Sequence, residues 1–315
     1  MKKFTGEIGA SFSHRHLETL GLSSLDAIKA FEKLGLTWIR LGCYWNEIEK
    51  TTNNFVFESL DPLVEFCEKK NIKVVMTVGM KAPRYPEYYI PDWVLPTPLP
   101  RLTTIGEKHK RLTHYLFRFI ETVIGHYKNS SAVKIWQVEN EPLDPSGQKW
   151  WRIHPDLLKK EVQLVKKLDK EREILVNLWG NELSKRQTYK KALDLADIVG
   201  LDLYPRHPIP FLKWFKLYVG PLDSKKTIFK ISETIKSQKK LFLAELQAEP
   251  WEPGELTTSK NNPPSFRPNH FKQNLDYGKG FSPEVILLWG FEYWYWRKTM
   301  GDNRYWREAE KLLKA

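Results

Sequence analysis

Two glutamates carry the chain's clearest chemical signal. Glu141 lies in the run Glu139-Asn140-Glu141-Pro142, and Glu245 follows the apolar residues 241–244 and precedes Leu246-Gln247. Hydrolysis of a glycosidic bond needs such a pair of carboxyls. One is protonated and gives its proton to the leaving oxygen, while the other is ionised and attacks the anomeric carbon from the opposite side. Environment keeps the two groups different: a neighbouring negative charge raises one carboxyl's pKa, and donors hold the other ionised. Arg40 and Tyr204 are suitable donors for Glu245. Glu139 and Glu249 compete for the two acidic roles, and Glu292 is a further candidate for either role or for a substrate hydroxyl. Trp45, Trp251 and Trp289 offer flat faces on which the C–H face of a sugar stacks, with core packing as the alternative for each.

These residues act together only if distant segments bring them to one place. Short apolar runs rich in β-branched residues predict strands over 4–11, 37–43, 72–78, 133–138, 174–178, 198–203, 241–244 and 285–288. Amphipathic stretches with helix signals separate them. Ser23 and Asp26 are spaced as a cap, with Gly35 beyond the helix end, and Asp61-Pro62 opens a second helix that Asn71 closes. Thr104 and Glu107 predict the start of a helix reaching about 128. Further helices are predicted over 155–171, 185–195, 225–237, 269–275 and 303–314. Eight alternating strand–helix units, with no Gly-rich phosphate turn, predict an α/β fold, a single (β/α)8 TIM barrel spanning residues 1–315. Such barrels build their sites at the carboxyl ends of the strands. Glu141 then stands at the end of the fourth strand and Glu245 at the end of the seventh. Arg40 lies on the second and Trp45 follows it, Tyr204 follows the sixth, Trp251 the seventh, and Trp289 and Glu292 the eighth.

With these residues in place, the sequence resembles the clan A glycoside hydrolases. Asn140-Glu141-Pro142 after a fourth strand is similar to the Asn-Glu-Pro motif of that clan, which includes family 5 cellulases and mannanases and the β-galactosidases of families 35 and 42. The segment RLGCYWNEIE is similar to the second-strand region of families 42 and 39, and ELQAEPW to their seventh-strand end. The resemblance implies a retaining hydrolase of β-linked glycans, with Glu141 as acid/base and Glu245 as nucleophile. It also implies that Asn140 binds the hydroxyl next to the anomeric carbon, and that Arg40, Tyr204 and Trp289 match the clan's second-strand Arg, sixth-strand Tyr and eighth-strand Trp. Retention predicts carboxyl groups about 5–5.5 Å apart. No cofactor or metal is expected.

Composition narrows the other classes. Apolar residues make up 41% and charged residues 28% of 315, an ordinary globular balance, while 13 tryptophans indicate a large core or a surface for flat ligands. The net charge of +12 is spread along helix-like segments such as LLKKEVQLVKKLDKER, as solvated helix faces are, and no nucleic-acid motif accompanies it. No run approaches the ~18 apolar residues of a membrane span. MKKFTGEIGASFSHRH has no apolar run after its lysines, so a cytoplasmic location is expected. Cys43 and Cys67 are expected to be buried free thiols. The aromatic loop PFLKWFKLYVG and the Pro-rich loops after the third and seventh strands are candidate glycan subsites. The alternatives are a non-catalytic carbohydrate-binding barrel, which the presence of both glutamates disfavours, and an isomerase or aldolase barrel, which would need a strand-end Lys or a phosphate-binding turn.

Overall fold

A computed structural model describes residues 4–208 and 217–314. The barrel strands are β1 (Glu7–Phe12), β2 (Trp38–Gly42), β3 (Lys73–Val78), β4 (Val133–Val138), β5 (Glu173–Trp179), β6 (Ile198–Leu203), β7 (Lys240–Gln247) and β8 (Val285–Trp289). They form a closed barrel in which every strand lies beside its neighbours in the chain, and β8 pairs in parallel with both β7 and β1. This is the single eight-stranded parallel barrel that the alternation predicts. All residues of β2 and β6 are buried, as expected of strands covered on both faces.

Some of the helices are capped by side chains. In α1 (Ser24–Lys33), the Ser23 hydroxyl accepts the Asp26 amide at 3.3 Å. Helix α2 (Asp61–Lys70) has Pro in its first turn and ends on Asn71 at a left-handed φ of 54°. Next come α3 (Lys110–Tyr127), α4 (Pro155–Leu168), α5 (Thr188–Leu195), α6 (Lys225–Lys236), α7 (His270–Lys279), α8 (Phe291–Thr299) and α9 (Arg304–Leu313). The Thr104–Glu107 signal does not start a helix. Thr104–Ile105 pairs in parallel with Arg152–Ile153, and α3 begins at Lys110. Helix α8 was not predicted, because FEYWYWRKT has aromatic residues all round and no side-chain cap.

The chain forms two compact units. One comprises Arg40–Leu178 and Thr188–Val199 and carries Glu141; the other comprises Met1–Ile39, Trp179–Gln187 and Gly200–Ala315 and carries Glu245. In the Glu141 unit, Trp45 stacks on Phe119 with ring centroids 5.2 Å apart. In the Glu245 unit, Phe12, Phe31 and Phe291 form an aromatic core with centroids 5.1–6.1 Å apart. Among the described residues no helix is long and apolar enough to cross a membrane. Cys43 and Cys67 are buried free thiols, as expected.

Candidate active site

In the Glu141 unit, a chain of hydrogen bonds holds the end of β4. Arg40, buried on β2, donates to the Gln137 side chain at 2.7 Å and to the Asn140 side-chain oxygen at 2.6 Å. Gln137 donates to Asn177 on β5 at 2.9 Å. Asn177 in turn donates to Asn140 and accepts the Glu141 amide, both at 2.9 Å. Gln137 and Asn177 each serve at once as donor and acceptor, which fixes their orientation and that of the groups they touch. Gln137 and Asn177 were not singled out in the sequence. Their signal was a polar residue inside an otherwise apolar strand, VKIWQV and EILVNLW, where burial demands a partner.

The backbone is unusual here. Glu139 and Glu141 both adopt positive φ, 63° and 40°. Such conformations are costly for residues with side chains and persist only where the surroundings over-determine them. Glu139, a competitor for the catalytic role, is fully buried, and its carboxylate accepts the amides of Met80 at 2.9 Å and Lys81 at 2.6 Å. Gly79 makes room for it, because a Cβ there would lie 2.2 Å from the Glu139 carboxyl carbon. Burial pushes Glu139 up to about 7, against the pull of those amides and of the Lys81 charge. Glu161, buried on α4 against Glu139, is driven well above the usual carboxylate range by burial and by the Glu139 charge. Glu139 is therefore engaged by the protein interior, leaving Glu141 as the acid of this run closer to solvent.

In the Glu245 unit, the acid sits near the end of β7, buried, where the pairing with β8 shifts register between Leu243 and Leu246. Such irregularities re-aim side chains and are common beside active sites. The Tyr204 hydroxyl donates to the Glu245 carboxylate at 2.5 Å. Tyr204 is itself held by Asn181, which accepts its amide at 3.1 Å and donates to its carbonyl at 2.9 Å. Trp179, at the end of β5, stacks on the Tyr204 ring at 5.4 Å, and Trp251 meets Tyr204 edge-on at 5.1 Å. The His207 imidazole packs within 6.0 Å of Trp251, and burial holds it below its usual pKa. Trp251 is 40% exposed, which leaves ring surface open to solvent. Trp179 was missed in the sequence, where LVNLW reads as plain strand.

Other expected positions differ. Trp45 is fully buried, stacked on Phe119, and donates through its indole N–H to Glu49 at 2.9 Å. It has no face to offer a sugar, which corrects its expected role. Glu292, expected to serve as a catalytic acid or to bind a hydroxyl, is fully buried at the start of α8 and accepts the Ser13 amide beyond β1. Trp289 ends β8 half-buried, and its carbonyl accepts the Ala248 amide at 2.8 Å. Gly290 follows at φ 145°, where a Cβ would lie 2.7 Å from the Ala248 oxygen. Glu249 is buried. Much of the aromatic loop PFLKWFKLYVG lies outside the described residues, which resume at Leu217. Among the described residues no three His, Cys, Asp or Glu side chains converge as metal ligands.

An eight-stranded parallel barrel with acids at the ends of its fourth and seventh strands has the architecture of the glycoside hydrolases of clan A. Residues 23–154 match glycoside hydrolase family 42, described as beta-galactosidase. The beta-galactosidase bgaB of Geobacillus kaustophilus is 24% identical over 123 residues, which cover 36% of this chain. The matched stretch spans 18% of that relative's length. Among solved structures, xylanase 10B from Thermotoga petrophila RKU-1 aligns with a TM-score of 0.61 at 16% identity, over 92% of this chain and 83% of its own. A beta-galactosidase from the psychrophilic Marinomonas ef1 aligns with a TM-score of 0.64 at 15% identity, over 90% and 53%. The similarity thus runs to clan A, and the chain is a TIM barrel like those of family 42 and family 10 glycoside hydrolases.

Proposed function

We propose that this barrel is a catalytic domain that hydrolyses β-linked oligo- or polysaccharides with retention, using Glu245 as nucleophile and Glu141 as acid/base. The observation that carries the reading is the Tyr204 hydroxyl bonded to the buried Glu245 carboxylate at 2.5 Å, a donor suited to fixing the position of an attacking oxygen. In the first step Glu245 attacks the anomeric carbon while Glu141 protonates the leaving oxygen. In the second, Glu141 takes a proton from the water that releases the sugar from Glu245. Asn140, fixed by Arg40 and Asn177, is suited to bind the hydroxyl beside the anomeric carbon. Trp251 and Trp289 are suited to sugar stacking, and Trp179 joins Trp251 beside Tyr204. The chemistry requires no cofactor.

Turnover of a panel of aryl β-glycosides, including galactosides and xylosides, tests the reading and selects the sugar. Glu245→Gln is expected to lower kcat by at least about 10⁴-fold. Glu141→Gln is expected to lower it by about 10²–10⁴-fold on phenyl glycosides. Retained turnover in either variant removes that residue's assignment, and sugar binding without turnover by the wild type would instead favour a carbohydrate-binding barrel.

A further inference from the structure

Lys81, just beyond β3, is a lysine with no exposed side-chain surface. Burying an ammonium is costly unless it is paired and hydrogen-bonded, so what it bonds to identifies what it is there to hold. Its Nζ donates to the Glu141 carbonyl at 2.7 Å and reaches the Asp144 carbonyl at 3.4 Å. The Glu87 carboxylate lies 3.4 Å from the same nitrogen. The Lys81 backbone engages the preceding two residues of the same run: its amide donates to the Glu139 carboxylate at 2.6 Å, and its carbonyl accepts the Asn140 amide at 2.8 Å. One residue therefore makes a hydrogen bond to each of Glu139, Asn140 and Glu141.

That run contains the two positive-φ glutamates. Left to itself, the backbone at 139 and 141 would relax toward ordinary φ and carry the Glu141 side chain in another direction. The loop that follows Lys81 keeps the clamp in place, because Tyr89 donates its amide to the Met80 carbonyl and Ala82 donates its amide to the Glu87 carbonyl, at 2.8 and 2.9 Å.

We propose that Lys81 is a positioning residue for general acid catalysis, a clamp that holds the Glu141 peptide in the conformation from which its carboxyl addresses the leaving oxygen. The proposal rests on the reading of Glu141 as the acid/base. It separates Lys81 from a residue that merely stabilises the fold, because misdirecting an acid harms only those substrates that need a proton. A phenyl leaving group needs one, and a 2,4-dinitrophenyl group departs without it.

The test measures kcat/KM on phenyl and 2,4-dinitrophenyl β-D-galactosides, or on the matching pair of the sugar the panel selects, with thermal unfolding recorded in parallel. For Lys81→Met, kcat/KM on the phenyl glycoside is expected to fall about 30- to 100-fold, the scale of a 1 Å misplacement, with less than about a threefold change on the dinitrophenyl glycoside. A folded Lys81→Met protein that loses both activities equally, or neither, overturns the proposal. Should Lys81→Met fail to fold, Glu87→Gln decides. Glu87 is 22% exposed and places a carboxylate 3.4 Å from the ammonium, and a smaller selective loss is expected, about threefold on the phenyl glycoside with an unchanged value on the dinitrophenyl glycoside; its absence overturns the proposal. Glu141→Gln is measured beside them. If it lacks the selective loss, the acid/base reading has failed and not the clamp.

Discussion

The two compact units hold their glutamates by different physics. Glu141 sits on a strained turn inside a polar lattice: amide side chains bridge one another, a buried lysine grips the backbone, and two carboxyl groups share the interior behind it. Glu245 lies on a strand whose pairing shifts register around it and accepts from the Tyr204 hydroxyl, and aromatic rings surround that donor. The contrast fits the demands of the roles proposed for the two groups. An acid/base must exchange a proton in a fixed direction, which rewards a rigid, hydrogen-bonded seat. A nucleophile must be aimed at a sugar ring, which rewards a fixed donor and an apolar wall.

The largest effect that sharpens this contrast is expected from Gly79→Ala. The added Cβ meets the Glu139 carboxyl carbon at 2.2 Å at a φ of 126°, so unfolding by denaturant should show a loss of about 3 kcal/mol. A loss below about 1 kcal/mol would mean that the seat of Glu141 is not tightly fitted. Tyr204→Phe removes the donor on Glu245 and should lower kcat/KM by about 10- to 100-fold, corresponding to a charge-assisted hydrogen bond of about 1.5–3 kcal/mol. An unchanged kcat/KM would break the nucleophile side of the comparison.

Glu161→Gln probes the buried carboxyl pair. Glu139 and Glu161 are both raised in the folded protein, so the fold holds protons that the unfolded chain releases. The stability they contribute is present at acid pH and is lost as pH rises from about 4.5 through about 7. The wild-type melting temperature should decline across that window more steeply than that of Glu161→Gln, and equal slopes would show that the pair holds no extra proton. The smallest effect is expected from Trp251→Ala: KM should rise roughly 2- to 10-fold, the scale of one aromatic contact of about 0.5–1.5 kcal/mol, with kcat nearly unchanged. A change in kcat alone would mean that this ring does not bind sugar.

The order of the barrel strands was legible in the sequence because periodicity and caps repeat eight times, and the fourth and sixth strands span the residues predicted for them, 133–138 and 198–203. The seventh was read short, at 244, because Glu245 and Gln247 interrupt the apolar run; the polar residue that suggested chemistry also hid the end of the strand. The glutamates and Tyr204 were visible as residue types at strand ends. Their supports were not, because Asn177, Gln137 and Lys81 take their meaning from contacts with residues distant in the chain. Trp45 misled for the same reason: an indole beside a strand end has the same letter whether it faces solvent or Phe119.

The two thiols have a practical consequence. Cys43 and Cys67 both lie in the unit that carries Glu141, and the other unit has no cysteine. Burial pushes the Cys67 thiol up to about 12 and that of Cys43 well above its ordinary value, so neither presents a thiolate to an alkylating reagent in the native state. Alkylation by iodoacetamide then acts as a clock that runs only when the Glu141 unit opens, and it leaves the fluctuations of the other unit unread.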